Sequence, residues 1–123
     1  MDRDFTYVDD IATAITLLVD AVPSVPTSAH DSDDDVGLSP AAPFRVVNIG
    51  NGNPVRLLAF IDAIETSIGR KAIRNYLPMQ PGDVPATFAD TSLLRRLTGF
   101  QPATPVSSGV DRFVAWYRDY YRV

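Results

Sequence analysis

Arg3 is the first residue whose side chain suits a chemical role, and it stands beside an acid in the stretch RDFTYVDDIATAI at residues 3–15. The planar guanidinium group of an arginine can grip a phosphate through directed hydrogen bonds. Arg3 can instead form a surface ion pair with Asp4, and such pairs contribute little stability. The residues alone favour the surface ion pair.

The loop at residues 78–85 is the second candidate, because Pro81 and Pro85 flank a glycine and an acid there. The prolines restrict the backbone, so the turn presents Asp83 in a fixed position. A carboxylate held in this way can accept hydrogen bonds from sugar hydroxyls. It can equally bond to its own backbone within a tight turn, and the residues leave both interpretations open.

Other motifs indicate chemistry less strongly. Residues 50–54 (GNGNP) form a glycine-rich turn, which can cradle a phosphate, but the G-x-G-x-x-G fingerprint fails at Val55. We therefore interpret the motif as a turn followed by a helix cap. His30 is the only histidine and lies in an acidic stretch, which we interpret as a solvated loop rather than a cation or partner site. We predict no metal site and no histidine-based catalytic triad.

The composition excludes several classes of function. A formal net charge of −4 argues against binding to nucleic acid or to an anionic membrane surface. The chain has no cysteine, so disulfides, thiolate catalysis and thiolate metal sites are impossible. No apolar run reaches the roughly 18 residues of a membrane span, and no basic-then-apolar leader is present. These features predict a soluble, cytoplasmic chain without a nucleic-acid or membrane partner.

The elements that must position Arg3 and Asp83 follow from apolar spacing. Strands are predicted at residues 5–8, 44–49 and 72–77. The first helix is expected to begin at Asp9 and Asp10 and to end at Pro23, with an apolar face formed by Ile11, Ile15, Leu18 and Val22. Residues 23–43 are proline-rich and acidic, so we predict a flexible surface loop there.

Three further helices are predicted after that loop. The second is capped by Asn53, begins at Pro54 and ends at Gly69, with an apolar face formed by Leu57, Ile61, Ile64 and Ile68. A short third helix is capped by Asp90, carries Leu93, Leu94 and Leu97, and ends at Gly99. A capping box of Ser108 and Asp111 opens the last helix, whose apolar residues are Val110, Phe113, Val114, Tyr117 and Tyr121.

The alternation of strands and helices predicts an α/β fold. Residues 44–49 (FRVVNI) form a near-continuous apolar run, which is typical of a strand covered on both faces. So small a domain offers little cover for such a strand. The pattern therefore indicates a larger sheet, part of which lies outside this chain.

Four ordered segments resemble a known family. The segments RDFTYVDDIA, VVNIGNGNPVRLLAFI, LPMQPGDVPATFADTS and GFQPATPVSSGVDRFVAWY occur in this order in the C-terminal part of nucleotide-sugar epimerases of the extended short-chain dehydrogenase/reductase class. The stretch MQPGDV is typical of the UDP-glucuronate 4-epimerase branch. The resemblance covers nearly the whole chain, residues 1–123, apart from the acidic loop. It implies a C-terminal, substrate-binding part that lacks most of the Rossmann domain.

The family's chemistry implies a bound NAD that takes hydride from C4 of the sugar and returns it to the other face. That chemistry needs a G-x-x-G-x-x-G loop and a Tyr-x-x-x-Lys pair. The seven glycines form no such loop, and no tyrosine has a lysine four residues later: the residues four after Tyr7, Tyr76 and Tyr117 are Ile11, Gln80 and Tyr121. We therefore expect no catalytic residue and no cofactor site in this chain, and no turnover by the chain alone.

The resemblance also implies a grip on the nucleotide of the substrate. By that resemblance Arg3 contacts the diphosphate and Asp83 contacts the nucleoside of a UDP-sugar. Many sister enzymes carry arginine at the position of Gln80, which adds a phosphate contact. Gln80 departs from that pattern but fits the glucuronate branch, so it is the weakest of the three candidates.

Three interpretations of function remain open at the level of sequence. The chain is part of a UDP-glucuronate 4-epimerase that binds the UDP-sugar weakly by itself; or it is a stand-alone binding or interaction module; or it is a non-catalytic remnant. Dehydratases and decarboxylases share this C-terminal part, so the reaction and the sugar are inferred. The apolar surface left by an absent sheet predicts a homo-oligomer.

Overall fold

The computed structural model describes residues 1–23, 37–39 and 41–123. Most of the predicted acidic loop, residues 24–36 and 40, lies outside the described residues. The elements are β1 (Asp2–Arg3), α1 (Val8–Val19), β2 (Val55–Arg56), α2 (Leu57–Ile68), α3 (Ser92–Thr98) and α4 (Val106–Tyr121). None of the helices in this part of the chain is both long and apolar enough to cross a membrane.

The strands β1 and β2 form a short antiparallel sheet that brings three distant segments together. Asp2 pairs with Arg56 and Arg3 pairs with Val55. On its other side Asp2 forms a parallel bridge with Ala86. The first residues of the chain therefore lie between the start of α2 and the loop that precedes α3.

The prediction of strands at residues 5–8, 44–49 and 72–77 was wrong, because none of these segments forms a regular strand. Residues 5–7 and 72–77 are irregular, and Val8 already belongs to α1. Within residues 44–49 only Arg45 pairs, in an isolated bridge with Leu38. Exposure alternates along this segment, with Phe44 59% and Val46 61% exposed. The segment has the apolar pattern of a strand, but the described part of the chain supplies no sheet beside it.

The four predicted helices are found, but their bounds differ from the prediction, and α1 ends at Val19 rather than at Pro23. The N-cap of α2 is Arg56 rather than Asn53, and α4 begins at Val106, so Ser108 lies inside the helix and caps nothing. In α3 the N-cap is Thr91. The Asp90 carboxylate nevertheless accepts a hydrogen bond from the Ser92 backbone N–H at 2.9 Å, and this bond lowers the pKa of Asp90.

The helix ends follow the predicted glycine rule. Gly69 ends α2 with φ 77°, and Gly99 ends α3 with φ 70°. At such φ values a side chain carries a steric cost that glycine avoids. A left-handed residue there lets the backbone N–H bond back to the helix, and the Gly99 N–H donates to the Arg95 carbonyl at 2.8 Å.

The hydrophobic core is small and lies around α3 and the first half of α4. Its fully buried or nearly buried residues are Ala14, Leu93, Leu94, Val110 and Val114. The helix α2 packs against α4, and α1 packs against α3. Several residues predicted to face the core are exposed, namely Ile15, Val22, Leu57, Ile68, Phe113, Tyr117 and Tyr121.

Candidate functional site

Arg3 lies at the edge of the short sheet, and its side chain reaches the loop at residues 78–85. The Nη1 atom donates to the Val84 carbonyl at 2.8 Å and to the Asp2 carbonyl at 3.0 Å. No ion pair links Arg3 to Asp4 among the described residues. The sequence-based preference for that ion pair was wrong, because the carboxylate of Asp4 has other partners.

The 78–85 loop is a tight turn held by its own backbone. The Asp83 N–H donates to the Gln80 carbonyl at 3.1 Å, and Gly82 adopts φ 93°. The Gln80 side chain is bonded locally, since Nε2 donates to the Pro78 carbonyl at 3.0 Å. The side chain of Asp83 is exposed to solvent.

The structure places the three predicted site residues in one neighbourhood. Residues 2–4 run beside residues 85–87, since the Asp2 N–H donates to the Pro85 carbonyl at 2.9 Å and the Thr87 N–H donates to the Asp2 carbonyl at 3.2 Å. The Arg3 guanidinium bonds to the carbonyl of Val84, the residue that directly follows Asp83 in the sequence. Gln80 is on the same loop, but its amide is bonded within that loop.

Asp4 is a central residue of this region that sequence reasoning missed. Its carboxylate accepts hydrogen bonds from the backbone N–H groups of Asn51, Gly52 and Ala89, at 3.1, 3.0 and 3.2 Å. These partners are 47, 48 and 85 positions away in the sequence. No local pattern predicts such contacts.

The glycine-rich turn at residues 50–52 is held by this carboxylate. The N–H groups of Asn51 and Gly52 are directed at Asp4, and the Asn51 N–H also reaches the Thr6 hydroxyl at 3.1 Å. Donors that are already bonded do not cradle a phosphate. These bonds leave the turn a poor cradle for a phosphate, and the interpretation of the motif as a turn is favoured.

Asp10 provides a second contact of the same kind. It lies in the first turn of α1, where an acid was expected to favour the helix start. Its carboxylate accepts hydrogen bonds from the Thr104 N–H at 3.0 Å and from the Thr104 hydroxyl at 2.9 Å. Asp10 therefore also fixes the segment that leads into α4.

Glu65 is a buried charged residue, with 4% of its surface exposed. It pairs with Lys71 at 2.7 Å and with Arg74 at 2.9 Å, and it accepts a hydrogen bond from the Ala72 N–H at 3.1 Å. These bonds lower the pKa of Glu65 to about 2, with that from Lys71 the largest cause. Spacing could have revealed this residue, because Ile61, Glu65 and Ile68 recur on one helical face.

An apolar groove lies between the first residues, α2 and α4. Its volume is about 750 Å³, and the rings of Phe5 and Phe60 stack in it at 4.0 Å. The rest of its lining includes Tyr7, Ile64, Val110 and Phe113. In the part of the chain that the structure describes, no cluster of three or more acidic, histidine or cysteine residues could hold a metal ion.

Comparison with known proteins gives a consistent result over nearly the whole chain. No protein-family model matches. The chain is 50% identical over 122 residues to a probable UDP-glucuronate 4-epimerase of Rhizobium meliloti, covering 99% of this chain and 36% of that protein. It therefore spans about a third of the length of such curated relatives.

Solved structures share the fold. A UDP-glucose 4-epimerase from Bifidobacterium longum, in complex with NAD+ and UDP, matches 94% of this chain and 30% of its own, with a TM-score of 0.73 and 21% identity. A UDP-glucuronic acid 4-epimerase mutant from Bacillus cereus, in complex with a fluorinated UDP-glucuronic acid analogue and NAD, matches 96% of this chain and 32% of its own, with a TM-score of 0.70 and 24% identity. The chain thus resembles, in sequence and in fold, the C-terminal portion of UDP-sugar 4-epimerases, with a probable UDP-glucuronate 4-epimerase among its relatives.

Proposed function

We propose that this chain supplies the substrate-nucleotide grip of a UDP-glucuronate 4-epimerase and does not catalyse by itself. The observation that carries the proposal is the bond from the Arg3 guanidinium to the Val84 carbonyl, which joins the cationic residue to the loop that presents Asp83. Sequence similarity to a probable UDP-glucuronate 4-epimerase supports the choice of substrate.

The proposed roles follow from the chemistry of the two side chains. Arg3 uses one of its five N–H donors on each carbonyl contact, so other donors remain for the diphosphate. Asp83 offers an exposed carboxylate, held by the turn at Gly82, to hydroxyl groups of the nucleoside. Gln80 is the weakest candidate, because its amide is bonded to Pro78. Without the rest of an enzyme to exclude water, we expect UDP affinity in the millimolar range or weaker, about −4 kcal/mol.

The proposal is tested in a chimera. The matching C-terminal part of the Rhizobium meliloti relative is replaced by this chain, and conversion of UDP-glucuronate into its 4-epimer is measured. Arg3→Ala and Asp83→Ala should each raise KM for the UDP-sugar about tenfold or more, because each removes a hydrogen bond to a charged group. Bound NAD should be retained in both variants.

Arg70→Ala is a matched control, since Arg70 is an exposed arginine with no role in the grip. Equal KM and kcat in Arg3→Ala, Asp83→Ala and the unaltered chimera would refute the grip. The isolated chain is tested beside the chimera. Turnover of UDP-glucuronate by it, or NAD that copurifies with it, would refute the proposed dependence on further residues.

A further inference from the structure

We propose that Asp4 is a positioning residue: its carboxylate joins the segment that carries Arg3 to two distant loops and so holds the guanidinium against the loop of Asp83. The inference rests on the proposed function for its consequence in binding. Its structural part stands on contacts among the described residues.

The Asp4 carboxylate accepts hydrogen bonds from three backbone N–H groups. The Oδ1 atom accepts from the Asn51 N–H, and Oδ2 accepts from those of Gly52 and Ala89, all within 3.2 Å. A carboxylate has about four acceptor positions and bonds N–H groups more strongly than a neutral oxygen does. A charge-neutral amide of this size has one acceptor oxygen with two lone pairs, which is too few for three such bonds.

The atoms around these bonds are closely packed at Gly50. A Cβ atom placed on Gly50 would lie 2.6 Å from the Ala89 Cβ atom and 3.0 Å from the Asp4 Oδ2 atom. Gly50 is itself buried. The turn therefore approaches Asp4 so closely that a side chain at residue 50 would displace the carboxylate or Ala89.

The backbone on both sides of Arg3 is bonded to residues 85–87. The Asp4 N–H donates to the Thr87 hydroxyl at 3.3 Å, and Asp2 is bonded to Pro85 and Thr87 through its backbone. Arg3 thus lies between two residues that are both fixed to residues 85–89. Release of Asp4 would free the backbone on the C-terminal side of Arg3 and weaken the hold of its guanidinium on Val84.

The test uses the whole chain with Asp4→Asn, which keeps the shape of the side chain. An amide presents one acceptor oxygen in place of two, so at least one of the three N–H groups loses its bond to residue 4, although the Asn51 N–H keeps the Thr6 hydroxyl. We expect hydrogen exchange to quicken at least tenfold at one or more of Asn51, Gly52 and Ala89, with exchange at Leu94 unchanged. We also expect loss of the proton–proton NOE between the Arg3 side chain and Val84. Asp20→Asn, an exposed acid at the end of α1, is the control.

Binding is measured by titration with UDP. Asp4→Asn should raise the dissociation constant about tenfold, and Asp83→Ala should raise it while leaving exchange at Asn51 and Ala89 unchanged. Unaltered exchange in Asp4→Asn would overturn the inference, as would faster exchange with an intact NOE from Arg3 to Val84. Faster exchange with unaltered UDP binding would also overturn it.

The two proposals fail in distinguishable ways. If the wild-type chain does not bind UDP and the chimera does not convert UDP-glucuronate, the proposed function is wrong. The hydrogen-exchange and NOE results still decide the role of Asp4. If Asp4→Asn does not fold, Asp4→Glu keeps the charge but moves the carboxylate one methylene group away from the N–H groups of Asn51, Gly52 and Ala89. That variant should weaken the NOE and UDP binding in the same direction, and no change in either would overturn the inference.

Discussion

Three carboxylates, those of Asp4, Asp10 and Glu65, connect segments of the chain through hydrogen bonds and ion pairs. Asp4 and Asp10 each accept hydrogen bonds from loops that are far away in sequence. Glu65, the only glutamate of the chain, is buried against Lys71 and Arg74. Glu65 bonds Lys71, Ala72 and Arg74 in the segment that follows α2, and that segment leads to the 78–85 loop.

Glu65 gives the stability of the fold a defined pH dependence. Its folded-state pKa, about 2, lies below the ordinary value of 4.5, so its ionised form stabilises the folded state. That stabilisation is complete above about pH 4.5 and is lost as the pH falls toward 2. We expect Glu65→Gln to lower the melting temperature at pH 7 and to flatten its decline between pH 4.5 and 2.

Thermal melts followed by circular dichroism at several pH values check this prediction. Asp119→Asn is the control, because Asp119 is exposed on α4. Glu65→Gln keeps the side-chain volume, so a change reports the charge and its bonds rather than a cavity. Parallel pH profiles for wild type and Glu65→Gln would contradict the assigned role.

The helix α3 has only seven residues, yet it contributes Leu93 and Leu94 to the hydrophobic core. Leu94 is fully buried, with 0% of its surface exposed. Leu94→Ala should lower the free energy of unfolding by about 2–5 kcal/mol, since truncation of a buried leucine leaves a cavity. Leu77→Ala is the control, because Leu77 is 72% exposed, and it should cost less than about 0.5 kcal/mol. Urea denaturation measures both, and similar costs would contradict a core centred on α3.

The sequence predicted the helices better than the strands, for a physical reason. Helix ends depend on local chemistry, so Gly69 and Gly99 could be recognised from their neighbours in sequence. A strand needs a partner, and the apolar run at 44–49 found only the bridge from Arg45 to Leu38. The same limit applies to the site. Local turn residues predicted the tight turn that presents Asp83, and the structure has that turn, but only folding brings Asp4 to Ala89.

The starts of the helices show how tertiary contacts outweigh local capping. Asn53 and Pro54 suit a helix start, yet the backbone at Val55 and Arg56 pairs with β1 instead. The Leu57 N–H then donates to the Met1 carbonyl at 3.0 Å. Sheet pairing satisfies the same backbone donors that a side-chain cap would have bonded, and it moves the helix start toward Leu57.

The whole molecule exposes much apolar surface. Phe44 and Val46, in the segment at residues 44–49, have 59% and 61% of their surfaces exposed. Rings on α4 are exposed as well, with Trp116 at 53% and Tyr120 at 65%, and these two stack on each other at 5.4 Å. Large exposed apolar patches are typical of surfaces that contact another protein. The segment at residues 44–49 pairs only at Arg45 within the described residues, and an extended segment of this kind adds a route to pairing between copies.

We therefore predict that the isolated chain self-associates through the segment at residues 44–49. A double substitution, Phe44→Ser with Val46→Ser, should raise the dissociation constant for self-association about tenfold or more, because about 25 cal/mol is lost for each Å² of apolar surface no longer buried. Sedimentation velocity over a range of concentrations measures this. Ile73→Ser is the control, since Ile73 is fully exposed outside that segment and its loss should leave association unchanged. A wild-type chain that sediments only as a monomer at the highest concentration would contradict the prediction, and equal weakening by Ile73→Ser would place the contact elsewhere.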